Sequence, residues 1–299
     1  MRGFVRPSRR ALLIGGLISV GAGMAEAANS EPTISIQIVA ASHARSVAFE
    51  VVKPPGKPMG SIIFSHGAFS SPAKYRALTG AWAKAGFTVI SPLHVDSTDH
   101  PNSKDYNQIA VWRTRVEDMQ LAITAAQALK PSVPILAAGH SYGALGALAL
   151  GGSRVADLET KKAESHKSVA IKAVIAFSPP GFMPGFVAAD AHAALSVPLL
   201  VQTGTKDVLP GFIDDYRMHL AAFETSPPGS KFSLVLEGVD HYFGGIICRP
   251  ELPGPKQTER FADAVAISTE FATSVVSPPA SLTLSRWMNK SPAIQLEWR

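Results

Sequence analysis

The sequence of 299 residues predicts an α/β fold: a mostly parallel central sheet with helices on both faces. Two observations carry that prediction. From about residue 60 onward, short apolar stretches that read as buried strands alternate with helical stretches. In addition, one strand, residues 134–138, runs through Gly139-His140-Ser141-Tyr142-Gly143 directly into an apolar helix at 144–150. So tight a strand-to-helix turn leaves no room for bulky neighbours. The two glycines meet that steric demand, and the serine between them is pushed outward.

The elements follow in order. Residues 34–39 and 47–52 alternate and predict a leading antiparallel pair. Residues 61–65 predict a buried strand ending at His66-Gly67. A helix is expected over 72–85, with Pro72 in its first turn. Residues 87–91 predict the next strand, and 108–129 a long helix closed by Lys130-Pro131. The stretch 152–168 is polar and reads as a surface connection. Strands are predicted at 171–177, 198–203 and 231–237, and helices at 212–223 and 257–275. Residues 179–196, with their Pro, Gly and two Phe, are placed to cover a site in part. The tail from Ser277 has no assigned element. There is no internal repeat, so residues 28–299 read as one domain.

The amino terminus reads differently. A twin arginine, Arg9-Arg10, precedes an apolar run from Leu12 to Val20 and the A-x-A site Ala25-Glu26-Ala27. This pattern predicts a Tat-type export signal over residues 1–27, hence a periplasmic or secreted protein. The alternative, a membrane anchor, is disfavoured because the run is short and Gly-rich. The formal charge of +5 is mostly this segment, which holds four Arg and one Glu; the remainder carries +2. Nothing there argues for nucleic acid or an acidic partner. The single cysteine, Cys248, excludes an intramolecular disulfide and reads as a small buried side chain.

A serine hydroxyl needs a base to take its proton, and the base needs a carboxylate to orient it and stabilise its charge. In a sheet of this kind these groups sit at carboxyl ends of strands, in the order Ser, acid, His. The strand at 198–203 runs into Gly204-Thr205-Lys206-Asp207, and the strand at 231–237 into Gly238-Val239-Asp240-His241. Ser141, Asp207 and His241 are therefore the expected catalytic residues. Asp214 and Asp215 are rivals inside the predicted helix. Asp207 also has a turn-capping alternative, and Asp240 reads as a loop hydrogen-bonder. The oxyanion donors are expected at the Tyr142 N–H and, in His66-Gly67-Ala68-Phe69, at Ala68, with Phe69 the second choice. His66 and His140 read as bracing residues.

These motifs together resemble the α/β-hydrolase superfamily over about residues 45–275. Within it the chain resembles dienelactone-hydrolase-like and platelet-activating-factor-acetylhydrolase-like serine esterases. Arg115-Val116-Glu117-Asp118 and the run Gly204 to Pro210 share in that likeness, the latter one residue out of register. The resemblance implies a serine carboxylic-ester hydrolase acting on a small-molecule ester through an acyl-enzyme, with no cofactor. Dienelactone hydrolases proper use a cysteine nucleophile, so lactone specificity is not implied. Peptidase or acyltransferase activity on the same triad, or a binding protein of hydrolase fold, are the alternatives.

Six loop aromatics, Phe69, Tyr142, Phe182, Phe186, Tyr242 and Phe243, fall at strand-end loops, where pockets form in open α/β sheets. Phe69 and Tyr242 are the expected substrate contacts, and about half of the six are expected to pack the loops instead. His94, Asp96, Asp99 and His100 match no zinc spacing, and that loop is expected to line the cleft. No metal, phosphate loop or nucleic-acid module is expected, and no membrane insertion once the signal is removed.

Overall fold

A computed structural model describes residues 31–277, 284–288 and 290–299. The export signal expected over 1–27 lies outside the described residues. Eleven strands and five α-helices are described: β1 Thr33–Ala40, β2 Ser46–Lys53, β3 Gly60–Ser65, α1 Arg76–Lys84, β4 Phe87–Pro92, α2 Val111–Leu129, β5 Ile135–His140, α3 Tyr142–Gly151, β6 Arg154–Ala156, β7 Ala163–Ser165, β8 Ile171–Phe177, β9 Leu199–Gly204, α4 Ala221–Thr225, β10 Lys231–Leu236, α5 Thr258–Val276 and β11 Ile294–Trp298. Nine strands form one sheet in the order β1-β2-β4-β3-β5-β8-β9-β10-β11. Its centre, from β4 to β10, is parallel; β1, β2 and β11 pair antiparallel at the two ends.

The central strands are buried on both faces, which is why they read as near-continuous apolar runs. Their side chains still alternate between two cores. Ile63, Ala137, Val174 and Ala176 join one core with α2 and α3. Ile62, Phe64, Leu136, Ala138, Ile175 and Phe177 join the other with α1 and α5. Helix α3 is apolar all round, and every residue from Gly143 to Gly151 is buried. Among the described residues no helix is long and apolar enough to cross a membrane.

Three local expectations are corrected, and one unassigned stretch finds its place. The helix expected over 212–223 is a 3₁₀ turn, Tyr216–Leu220, followed by the single-turn α4. Gly211, with φ of 81°, and a Leu209–Ile213 bridge fold the chain back first. The long helix begins at Val111 rather than 108, because Asn107 takes the Ile109 N–H on its side chain and the Ala110 N–H on its carbonyl, a tight turn ahead of the helix. The stretch 152–168 contains a hairpin, β6–β7, with Val155 buried. Finally, the unassigned tail supplies β11, the edge strand against β10.

Candidate active site

The turn between β5 and α3 shows why its residues are what they are. A Cβ on Gly139 would lie 2.3 Å from the Gly143 carbonyl oxygen, and one on Gly143 would lie 2.1 Å from the Ser65 carbonyl oxygen. Both distances are inside any tolerable contact, so the glycines are sterically obligatory. Ser141 adopts φ 54° and ψ −125°. Such backbone strain costs about 1–3 kcal/mol in a residue that has a Cβ. Replacing Ser141 by glycine is therefore expected to raise stability by about 1 kcal/mol, since glycine adopts this conformation freely. Thermal melting reads the gain.

Asp207 and His241 come together as the spacing predicts. His241 Nδ1 donates to Asp207 Oδ1 at 2.6 Å. Asp207 Oδ2 accepts from the hydroxyls of Ser178, at 2.5 Å, and Thr203, at 2.8 Å. Burial alone would raise this carboxyl, but donors and positive charge from His219 and His241 prevail and hold it well below the usual carboxylate range. Asp214 and Asp215 stay exposed and cap local turns. Asp240 accepts the Tyr242 and Gly244 amides and a Gln257 side-chain N–H, as a loop organiser.

Ser141 and His241 share the wall of one cavity of about 540 Å³ with Ala68, Phe69, Tyr142 and Tyr242. The rest of the lining is largely apolar, including Val111, Leu158, Met183, Phe186, Leu209, Phe212 and Ile213. Residues 179–196 do cover it in part, through Pro180, Met183, Pro184 and Phe186. Of the six loop aromatics, Phe69, Tyr142, Phe186 and Tyr242 line the cavity. Phe243 is buried in the core and Phe182 is half-exposed.

The amide geometry distinguishes the oxyanion candidates. The Tyr142 N–H opens α3 and has no intrahelical acceptor. In the loop after β3, the Phe69 N–H is directed at Asp96 Oδ2, 3.4 Å away. The Ala68 N–H has no protein acceptor among the described residues, and Ala68 faces the cavity.

That loop is held from behind by groups whose roles the sequence did not reveal. Arg115, on α2, is fully buried and forms a two-pronged pair with Asp96 at 2.8 and 2.9 Å. Its remaining N–H groups reach the carbonyls of His66, at 2.8 Å, and Gly67, at 3.2 Å, and its guanidinium lies 4.8 Å from the Tyr142 ring centre. His94 bonds Ser65 and Asp118, and Asp118 in turn takes Arg45. His94 and Asp96 therefore brace the back of the segment that carries Ala68 rather than facing the cleft, while the same connection lines the cavity farther on through Tyr106 and Gln108. The Arg115–Asp118 pattern was the available signal; its partners were not.

A second chain of hydrogen bonds crosses the site. The Gly67 N–H donates to the Tyr75 hydroxyl, Tyr75 donates to His140 Nδ1, and His140 Nε2 donates to the His241 carbonyl. The loop after β3 and the His241 loop are thus tied through two buried side chains. Burial keeps both His66 and His140 far below the usual histidine range, so both act as neutral braces. Cys248 is buried beside this chain, its Sγ close to Gly67, and lines the cavity wall.

One group of three metal-capable side chains occurs among the described residues: Asp207, His219 and His241, with ligand atoms within 4.8 Å of one another. The 2.6 Å contact from His241 to Asp207 is a hydrogen-bond spacing. Two ligands on a tetrahedral zinc stand about 3.3 Å apart, given metal–ligand bonds near 2 Å. The arrangement fits proton chemistry better than an ion.

A parallel-centred nine-stranded sheet, a strained serine after its middle strand, and a His–Asp pair after two later strands define the α/β-hydrolase fold. This chain has the fold of the α/β serine hydrolases. A family model described as serine aminopeptidase, S33, matches residues 56–180. Among solved structures, a dienelactone hydrolase from Anabaena variabilis is 17% identical with a TM-score of 0.58, over 83% of this chain and all of that one. A highly thermostable carboxyl esterase from Bacillus coagulans is 12% identical with a TM-score of 0.61, over 82% of this chain and 99% of that one. A puromycin-hydrolyzing peptidase of Mycobacterium tuberculosis is 15% identical with a TM-score of 0.57, over 82% of this chain but 40% of that one. A search of curated proteins finds no match. At these identities the likeness is one of fold.

Proposed function

We propose that this chain is an exported serine hydrolase that cleaves carboxylic esters of apolar, small-molecule substrates. Ser141 attacks the ester carbonyl while His241 takes its proton, oriented by Asp207. The oxyanion forms against the Tyr142 and Ala68 N–H groups. His241 then protonates the leaving alcohol, and water repeats the cycle on the acyl-enzyme. The acyl or alcohol part of the substrate packs against Phe69, Tyr242 and the apolar lining.

One observation favours an ester over a peptide amino terminus, as the matching family model would otherwise suggest. Among the described residues the cavity lining includes His241 and Arg249 but no aspartate or glutamate. An aminopeptidase must hold a protonated amine, and nothing on this wall offers it a negative charge. The pocket also encloses a volume suited to a small molecule. Export through the Tat route, to the periplasm or beyond, remains part of the proposal on the strength of Arg9-Arg10 and Ala25-Glu26-Ala27.

The test is a matched panel: p-nitrophenyl esters of increasing acyl length beside the corresponding aminoacyl anilides, with fluorophosphonate labelling mapped to its residue. Ester cleavage at least a hundredfold faster than anilide cleavage, with the label on Ser141, is the expected result. Preferred anilide cleavage would move the reading to a peptidase. An unlabelled Ser141 would leave a binding protein of hydrolase fold.

A further inference from the structure

The buried histidines of the site can be assigned protons from their partners alone. His66, His94 and His140 each face one acceptor and one donor: His66 meets the Gly67 carbonyl and the His94 N–H, His94 meets Asp118 and the Ser65 hydroxyl, and His140 meets the His241 carbonyl and the Tyr75 hydroxyl. A neutral ring satisfies all of these. His219 does not fit that pattern. Its Nδ1 lies 2.7 Å from the Pro179 carbonyl oxygen, and its Nε2 lies 3.0 Å from Asp207 Oδ1. Both neighbours are acceptors. Either neutral tautomer leaves a buried lone pair against an oxygen at 3.0 Å or less, a costly arrangement in a ring that is 1% exposed. The imidazolium gives Nδ1 a proton for the Pro179 carbonyl and sets a positive ring 3.0 Å from the Asp207 carboxylate, an ion-pair contact rather than an aligned hydrogen bond.

We propose that His219 is a charged positioning residue of this site, one that neutralises Asp207 and sets the lowest pH at which His241 works as a base. Asp207 is then shared by two histidines on one oxygen, His241 at 2.6 Å and His219 at 3.0 Å. The two rings stack at 27° with centres 5.7 Å apart. A fixed positive charge at that separation opposes a second one on His241. Once protonated during turnover, His241 therefore gives its proton up to the leaving group more readily. Also packed here are His140, a neutral brace, and the Tyr242 ring, whose hydroxyl burial pushes up and which has Arg249 beside it. On its own turn, Arg217 is exposed and paired with Asp215. Burial works against charge on His219, but the Asp207 carboxylate and the Pro179 carbonyl outweigh it and raise the group above its ordinary value.

This inference rests on the proposed hydrolase reading for its kinetic consequence but not for the charge itself. Two measurements separate them. In the full chain labelled with ¹⁵N-histidine, the His219 ring is expected to show both nitrogens protonated at pH 7, assigned by its absence from His219→Gln and His219→Asn. In ester hydrolysis, His219→Gln is expected to move the acid limb of the kcat/KM profile up by about one to two pH units. A merely structural loss would lower kcat/KM at every pH without moving that limb. A bare nitrogen on His219 at pH 7, or an acid limb unmoved in a folded variant, overturns the proposal. If no ester is cleaved, the hydrolase reading and the working-pH role fall together, and the ring signals of the unsubstituted chain still decide the charge.

Discussion

Replacing Ser141 by alanine is expected to lower ester turnover by about four to six orders of magnitude, as loss of the nucleophile does in other serine triads. Stability should hardly change. Alanine retains the Cβ, so the strained backbone at φ 54° is unaltered. The His241–Asp207 pair and the hydroxyls on Asp207 do not depend on the serine oxygen. Binding in the apolar cavity also survives, so substrate affinity should persist while chemistry stops. Rates with p-nitrophenyl esters and a thermal melt on the same preparation check both halves. Near-normal turnover in the variant would remove Ser141 from the mechanism.

The second large effect is expected at Arg115, which never reaches the cavity wall. Arg115→Met keeps most of the side-chain volume but leaves the Asp96 carboxylate buried without its counter-charge. Breaking such a pair costs about 3–5 kcal/mol. It also frees the His66 and Gly67 carbonyls, on the segment that presents the Ala68 N–H. Misplacing one oxyanion donor costs about 10²–10³ in kcat. The variant should therefore melt earlier and, at temperatures where it is folded, lose kcat far more than it changes KM. Arg115→Lys keeps the charge but not the flat fork, and should fall between the two. A folded Arg115→Met with unchanged kcat would mean that the loop stands without this brace.

Much of the fold was legible because its central strands are short apolar runs punctuated by Gly and Pro. The helix over 212–223 was misread for a physical reason: an apolar, helix-compatible stretch was overridden by a tertiary turn at Gly211 and a cap at Asp215. Nothing in the sequence sets His219 beside Asp207, because that contact depends on this turn. The β11 strand was unreadable because an edge strand owes its existence to the partner it finds, here β10, rather than to its own pattern.

By itself the sequence determined the constraints that are local. Two glycines around a serine, at the end of an apolar strand and the start of an apolar helix, admit one tight turn. An aspartate and a histidine just past later strands can converge only if those strands are parallel and adjacent, and the pattern made them so. Tertiary structure alone decided what depends on distance across the chain. It set Arg115 behind the loop that carries Ala68 and tied Gly67 to His241 through Tyr75 and His140. It also brought a second histidine onto Asp207. The reason is that a hydrogen bond reads a separation of about 3 Å in space, whereas a sequence records only order along the chain.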